Sequence, residues 1–392
     1  MKLEVNRLIM LEAAKCVAKI APSNSPSELL NNIMIEGNDD TGEIILTATN
    51  HEVSIIQKII ASVSESGSML VHPRMLTGMM SLLEGEFVSM SAERPDILTV
   101  KGGTCRYQIR CQPSNSYPKP IIPFPEESVI MTGICSLAKR TTFLVSTNDA
   151  QPLSLHCVNI KLKNNAVHAA ASDGNRMMFI KDAAEPTDEQ EFLLPGRGLS
   201  ILASISKDSD VFEVSDIGKE VVFVRGDMVF SIRKYACDDY MDTAALIKKL
   251  KPVYTAVTEV GHMKEALNVM SVAALSGETI VPINLLFSGS EIVLRCVSDF
   301  SSSNTAVHAN VTQDTPEDGF YYDVSALLKL FNVLNGKVKL ELDAKGFMLV
   351  KTRSEVYLQA PVRGAAFRKK ADDGNEKKKK SAKGAKEMKE AA

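Results

Sequence analysis

The sequence predicts an α+β protein made of three tandem copies of one domain, and three observations carry that expectation. One pattern recurs over residues 70–111, 193–234 and 321–360: a short apolar strand, an amphipathic helix, a strand, a Gly-marked turn and a closing strand. The first turns of the pattern fall at Val71-His72-Pro73, Leu193-Leu194-Pro195 and Tyr321-Tyr322-Asp323, about 120 to 130 residues apart. A period of that length is too long for a solenoid and is the size of a whole domain.

The second observation lies upstream of each recurrence. Residues 1–7, 128–132 and 254–260 alternate like strands, and each leads into an expected helix at 8–20, 134–146 or 262–274. Two strands joined by a tight polar turn follow in every case: 33–35 with 43–49, 158–160 with 166–171, and 285–287 with 291–297. Aliphatic and polar residues alternate along them, as a sheet with one covered face requires. Each third therefore holds two helices and about eight strands. The expected divisions are domains at 1–125, 126–250 and 251–366, with a tail over 367–392.

Composition supplies the third observation. With 392 residues, 45% of them hydrophobic, the chain buries ample core for two or three domains. No apolar run reaches the ~18 residues of a membrane span, and the opening Met-Lys-Leu-Glu-Val-Asn lacks the apolar stretch of a signal peptide, so a soluble, cytoplasmic protein is expected. Seven cysteines, scattered and never spaced Cys-x-x-Cys, encode neither a disulfide framework nor a zinc site. Residues 368–392 differ from the rest: ten Lys or Arg stand against five Asp or Glu, with few apolar residues besides Ala. That excess of +5 in a chain of net −3 leaves −8 on residues 1–367, and such a segment reads as a disordered cationic tail.

Catalytic signatures are missing from the sequence. Six histidines occur singly, without HExxH or HxH, and lone histidines at strand or surface positions are usually structural. There is no Walker A loop or GxGxxG, and Pro195-Gly196-Arg197-Gly198 is too short to cradle phosphates. A protein without catalysis, metal or cofactor is expected.

Three segments then carry a family resemblance: Leu46-Thr47-Ala48-Thr49-Asn50-His51-Glu52, Ala170-Ala171-Ser172-Asp173-Gly174-Asn175-Arg176 and Ala360-Pro361-Val362-Arg363. Together with the order of elements over residues 1–364, they make the chain similar to the bacterial sliding clamp, the β subunit of the replicative DNA polymerase. The resemblance implies three clamp-type domains, each with two helices packed on antiparallel sheets. It also implies a head-to-tail homodimeric ring of six such domains around duplex DNA. Partners implied are double-stranded DNA without sequence preference, the polymerase and the clamp loader, the last two through a short linear peptide.

Site residues follow from the same resemblance. Cations expected to face DNA are Lys15, Lys19, Arg74, Lys139, Arg140, Arg197, Lys264 and Lys329, spread over all three thirds as diffuse phosphate contacts require. The expected dimer interface pairs Arg106, Tyr107 and Ile109 of the alternating strand 104–111 with Ala274 and Leu275. The peptide pocket would be built from Leu155, Ser172, Gly174, Asn175, Arg176 and Met177, with Leu358, Ala360, Pro361, Val362 and Arg363. Where the family usually has Phe-Pro-Asp-Tyr and then Arg, residues 237–242 read Cys-Asp-Asp-Tyr-Met-Asp, implying an acidic rim. A second reading is a clamp-like protein that does not encircle DNA and only binds or sequesters polymerase or loader peptides. Its mass in solution would separate the two, since a 42.7 kDa protomer must at least double to encircle a duplex.

Overall fold

The computed structural model describes residues 1–122, 127–184, 189–236, 240–272, 282–297 and 302–362. In the first copy these form β1 (Lys2–Asn6), α1 (Arg7–Ala18), β2 (Ile33–Asn38), β3 (Glu43–Thr49), β4 (Val53–Ile60), β5 (Ser62–Glu65), β6 (Gly67–Val71), α2 (Pro73–Leu82), β7 (Phe87–Arg94), β8 (Ile97–Gly102) and β9 (Cys105–Arg110). The second copy gives β10 (Val129–Thr132), α3 (Ile134–Thr141), β11 (Cys157–Lys163), β12 (Ala166–Ser172), β13 (Arg176–Ala183), β14 (Gln190–Pro195), α4 (Gly196–Ser204), β15 (Val211–Asp216), β16 (Glu220–Arg225) and β17 (Met228–Arg233). After a connecting helix α5 (Thr243–Lys249), the third copy gives β18 (Pro252–Glu259), α6 (Val260–Ser271), β19 (Pro282–Ser288), β20 (Glu291–Val297), β21 (Ser302–His308), β22 (Asn310–Val311), β23 (Phe320–Asp323), α7 (Val324–Val333), β24 (Lys337–Asp343), β25 (Met348–Lys351) and β26 (Glu355–Gln359).

The three copies share one pairing scheme. Their first strands pair with the strand after the second helix (β1·β7, β10·β15, β18·β24), and two more strands continue each meander. A hairpin (β2·β3, β11·β12, β19·β20) carries on its flank the strand that precedes the second helix (β6, β14, β23). Helices pack in pairs: α1 on α2, α3 on α4, α6 on α7.

Local chemistry explains the helix starts. The Asn6 side chain accepts hydrogen bonds from the amides of Leu8 and Ile9, Pro73 opens α2, and the Asp323 side chain accepts from Ser325 N. One face of each helix is apolar and buried, for example Met10, Ala14 and Val17 on α1 or Val324, Leu327 and Leu330 on α7. The expected helix 134–146 is shorter than its periodicity implied. α3 ends at Thr141, whose hydroxyl donates to the carbonyl of Leu137 at 2.9 Å, and a single tight turn, Thr142–Leu144, follows.

The chain divides into two compact units, one of residues 1–171 with 182–240 and the other of 172–181 with 241–392. In the first unit a five-stranded sheet runs β5-β1-β7-β8-β9, and an eight-stranded sheet runs β10-β15-β16-β17-β4-β3-β2-β6. That second sheet joins two copies through β17·β4, with Phe230 opposite Ile55 and Ile232 opposite Val53, all buried. Strands β14-β11-β12 pair in that order and complete this unit's described strands. In the second unit, β13-β26-β25-β24-β18-β22 form one ladder and β21-β20-β19-β23 the other. Here β26·β13 repeats the scheme of β17·β4, with Tyr357 opposite Met178, both buried.

The rule is the same in both units: the last strand of one copy pairs with the fourth strand of the copy before it. Applied once more, it leaves β9 and β21 over. Among the described residues, each stands at a sheet edge with its own meander or hairpin on one side only.

Of the cysteines, Cys111, Cys135, Cys157 and Cys296 are buried, Cys16 is half-buried and Cys105 is exposed; Cys237 lies outside the described residues. No helix among the described residues is long and apolar enough to cross a membrane.

Candidate functional site

The hairpin mouth between β12 and β13 is built by side chains acting on the backbone. Ser172 Oγ accepts from Gly174 N at 3.1 Å and donates to the Arg176 carbonyl at 2.8 Å. Asp173 Oδ1 accepts from the amides of Asn175 at 3.0 Å and Arg176 at 2.8 Å. Gly174 sits at φ +91°, a conformation that favours a residue without Cβ. Arg176 reaches back, with Nε 2.7 Å from Asp173 Oδ2, so its guanidinium is held in the turn. Ser172 is fully buried, and it shapes the turn rather than presenting a surface.

β26 lies against this turn within the second unit. Met177 faces Leu358 across the ladder, and Ala360 N donates to the Asn175 carbonyl at 3.2 Å. Val362 N then donates to the Tyr321 carbonyl at 2.8 Å, fixing the end of the described chain. Met177, Ala360, Pro361 and Val362 are half-buried and Leu358 is nearly covered, so the strand end presents a short apolar strip. Beneath it Tyr357 donates to Gln359 Oε1 at 2.9 Å, and burial pushes its hydroxyl well above the usual phenol range. Nine of the expected pocket residues thus come together as strip and turn: Ser172, Gly174, Asn175, Arg176, Met177, Leu358, Ala360, Pro361 and Val362. Leu155 belongs to the first unit and is buried there, and Arg363 lies outside the described residues, as do residues 237–239 of the expected acidic rim at 237–242; Asp242, at the other end of that rim, accepts from Ala245 N at 2.9 Å and caps α5.

Sequence reasoning missed Leu246, which is 37% exposed on α5. The only buried residue of α5 is Thr243, so Ala244, Ala245, Leu246 and Ile247 leave an apolar surface open. The signal in the sequence is four apolar residues in a row, Ala244-Ala245-Leu246-Ile247.

A second hairpin mouth, between β3 and β4, repeats the hydrogen bonding of the first. Thr49 Oγ1 accepts from His51 N at 3.1 Å, and Asn50 Oδ1 accepts from the amides of Glu52 at 3.0 Å and Val53 at 2.8 Å. His51 takes the place of Gly174, at φ +71°. The facing side chains differ. Ser54 and Ser231 stand where Met177 and Leu358 stand, and Arg233, Lys234 and Tyr235 replace Ala360, Pro361 and Val362.

The eight expected DNA-facing cations separate into two groups. Lys15 pairs with Glu12 at 3.2 Å, Lys139 with Asp208 at 3.5 Å, and Arg140, only 16% exposed, with Asp182 at 2.5 Å. Arg140 is therefore corrected to a structural residue, because its charge is spent on Asp182. Lys19, Arg74, Arg197, Lys264 and Lys329 form no ion pair among the described residues, and all but half-buried Lys264 are exposed. Except for Lys19, which caps the C-terminal end of α1, they lie on the paired helices, at least one in each copy.

At the expected dimer interface, Ile109 also needs correction. It is 5% exposed within its own protomer, because the alternation of β9 turns it into the first unit's core. Arg106 is exposed and Tyr107 is 39% exposed. Ala274 and Leu275 lie outside the described residues.

Residues 1–121 match the family model for the N-terminal domain of the DNA polymerase III β subunit. Curated relatives agree over much more of the chain. The β sliding clamp of Chlamydia trachomatis is 20% identical over 328 residues, covering 82% of this chain and 76% of the relative. The β sliding clamp of Staphylococcus epidermidis is 25% identical over 281 residues, covering 68% and 72%. The chain is thus similar to DNA polymerase III β subunits, by the family model over residues 1–121 and by relatives at 20–25% identity. Solved structures share the clamp fold: the Bacillus subtilis DNA polymerase sliding clamp superposes with a TM-score of 0.83 at 20% identity, covering 93% of this chain and 99% of that one. A β-subunit structure from Eubacterium rectale gives 0.84 at 16% identity, covering 93% and 100%. The repeat, the helix pairs and the antiparallel sheets are thus the family's fold.

Proposed function

We propose that the chain is a DNA sliding clamp: two protomers, each of three domains, close head to tail around duplex DNA and tether the replicative polymerase in the cytoplasm, without catalysis of their own. The observation that carries this reading is the pairing rule that leaves β9 and β21 over. If β9 of one protomer meets β21 of another as β17 meets β4 and β26 meets β13, two identical seams form and no edge is left at either end.

The internal junctions also set the register of that seam. Counting from the turn before each closing strand, Cys105 stands where Met228 and Glu355 stand, and Tyr107 where Phe230 and Tyr357 stand. Counting from the hairpin mouths, where Thr49 pairs with Ser54 and Val297 with Ser302, Ser303 corresponds to Ile55 and Thr305 to Gln57. Phe230 pairs with Ile55 and Met228 with Gln57, so Tyr107 should meet Ser303 and Cys105 should meet Thr305 of the partner. Exposed apolar residues support the same two ends. Met75, 55% exposed, occupies on α2 the place of Gly198 on α4, where a Cβ would lie 2.9 Å from Ile232 and 3.2 Å from Val53. Val269, 54% exposed on α6, occupies the place of half-buried Cys16 on α1, which lies close enough to Arg225 to feel its charge.

A closed ring holds DNA by topology. It needs only weak phosphate contacts, and the five uncommitted cations, scattered over three copies, suit sliding better than gripping. Polymerase and loader peptides would anchor apolar side chains on the strip at Met177 and Val362.

The test uses Thr305→Cys, which places a thiol opposite the native Cys105. Oxidation should convert the protein to a covalent dimer, and light scattering of the unmodified protein at micromolar concentration should give twice 42.7 kDa. A monomer by scattering would instead favour a clamp-like protein that only sequesters peptides.

A further inference from the structure

The side chains that point away from the core at the two unpaired edges differ in kind from their counterparts inside the chain. At the internal junctions that row is apolar and half-buried: Val229 faces Ile56, with Val224 beyond it, and Val356 faces Phe179. On β9 the matching position is Arg106, opposite Lys101 of β8, and both are exposed. On β21 it is Asn304, opposite Arg295 of β20, and both are again exposed. Lys101, Arg106 and Arg295 form no ion pair among the described residues. Like charges directly opposite on neighbouring strands repel, so Lys101 and Arg106 strain their own hairpin unless an anion lies between them.

With Tyr107 opposite Ser303, Arg106 comes opposite the partner's Asn304, and the row across the seam reads Lys101, Arg106, the partner's Asn304 and the partner's Arg295. A strand spacing of about 4.8 Å puts the two arginines roughly 10 Å apart, one on either side of the Asn304 amide. No carboxylate stands in the next row, Thr99, Gln108 and the partner's Ser302, or at the partner's Val293 and Ala306 on the other side. We propose that this row is an anion site, completed only when two copies meet and filled by a small multivalent oxyanion of the phosphate type. The inference rests on the ring reading above and adds a control on closure. Each guanidinium offers a planar fork to phosphate oxygens, the Asn304 amide donates between them, and Lys101 adds a further charge. Unfilled, the cations oppose closure; filled, the oxyanion ties the two copies together. A ligand that binds the dimer alone favours it by a factor of 1 + [L]/Kd at each seam, so at ten times its Kd two seams tighten the dimer about a hundredfold.

Sedimentation velocity of the full chain in sodium pyrophosphate, against sodium chloride at equal ionic strength, tests the site. Pyrophosphate should lower the dimer dissociation constant at least tenfold. Arg106→Gln with Arg295→Gln should dimerise in chloride at least as tightly as the unmodified protein and lose the response to pyrophosphate, with thermal unfolding as the check that the protomer stays folded. An unchanged dissociation constant at equal ionic strength overturns the proposal, and so does an equal gain in the double variant, which would put the anion elsewhere. A double variant that dimerises more weakly in chloride also overturns it, since the arginines would then already meet carboxylates across the seam. A protein monomeric in both solutions defeats the ring reading and the site with it. A dimer that cross-links through Thr305→Cys yet ignores pyrophosphate defeats the site alone.

Discussion

Replacing Tyr107 with Ala should loosen the ring by a magnitude that follows from the repeat. Its counterparts Phe230 and Tyr357 are fully buried at the internal junctions, whereas Tyr107 is 39% exposed in the protomer. An aromatic side chain buries roughly 200 Å², so closing the seam would hide about 80 Å² of Tyr107. At ~25 cal/mol per Å² this is about 2 kcal/mol per seam, and two seams in a ring make about 4 kcal/mol. The dimer dissociation constant should therefore rise about a thousandfold. Sedimentation velocity across nanomolar to micromolar concentrations measures it, with thermal unfolding as a control that the protomer stays folded. A dissociation constant within threefold of the unmodified protein would refute the register, because Tyr107 would then not be a seam residue.

Three further outcomes are expected. Met177→Ala with Val362→Ala should weaken polymerase binding well beyond tenfold while sedimentation still shows a dimer, since truncating a buried anchor costs ~2 kcal/mol or more. Deleting residues 368–392, with their excess of five positive charges, should lower the slope of log K against log salt for linear duplex DNA by up to about 4 to 5, at roughly 0.9 per phosphate contact; retention on circular DNA should hold. Glu341 is buried between Lys339 and Lys351, each 2.5 Å away; burial alone would raise its pKa, but the two lysines outweigh it and hold the carboxyl below its usual 4.5. A depressed pKa stabilises the fold above the unfolded value and loses that stabilisation as pH falls through the folded value, so Glu341→Gln should lower the urea midpoint at pH 7 and much less at pH 3.

The repeat was legible in the sequence because it is written in hydrophobic periodicity, which survives where residue identity does not. Side-chain commitments were not. Arg140 and Lys264 read alike on their helices, yet Arg140 meets Asp182 from a strand 42 residues away, and only folding reveals that partner. Ile109 and Tyr107 share one face of β9, and how far their own protomer covers each is decided by the neighbouring elements. The turn at Ser172–Arg176 was recognisable from Asp-Gly chemistry. Its relative at Thr49–Val53 hides because His51 does the work of a glycine.

That pair of hairpins also fixes a valence. With serines at positions 54 and 231 and Arg233, Lys234 and Tyr235 beside them, the first copy's mouth has no apolar landing place, although its backbone is the same. Of the two described mouths in a protomer, one alone can hold an apolar anchor. A ring of two such protomers then offers one landing place on each half of its circumference through these mouths. In the proposed ring, partners that outnumber the landing places would have to take turns, and a newcomer would wait on one half while the incumbent works from the other.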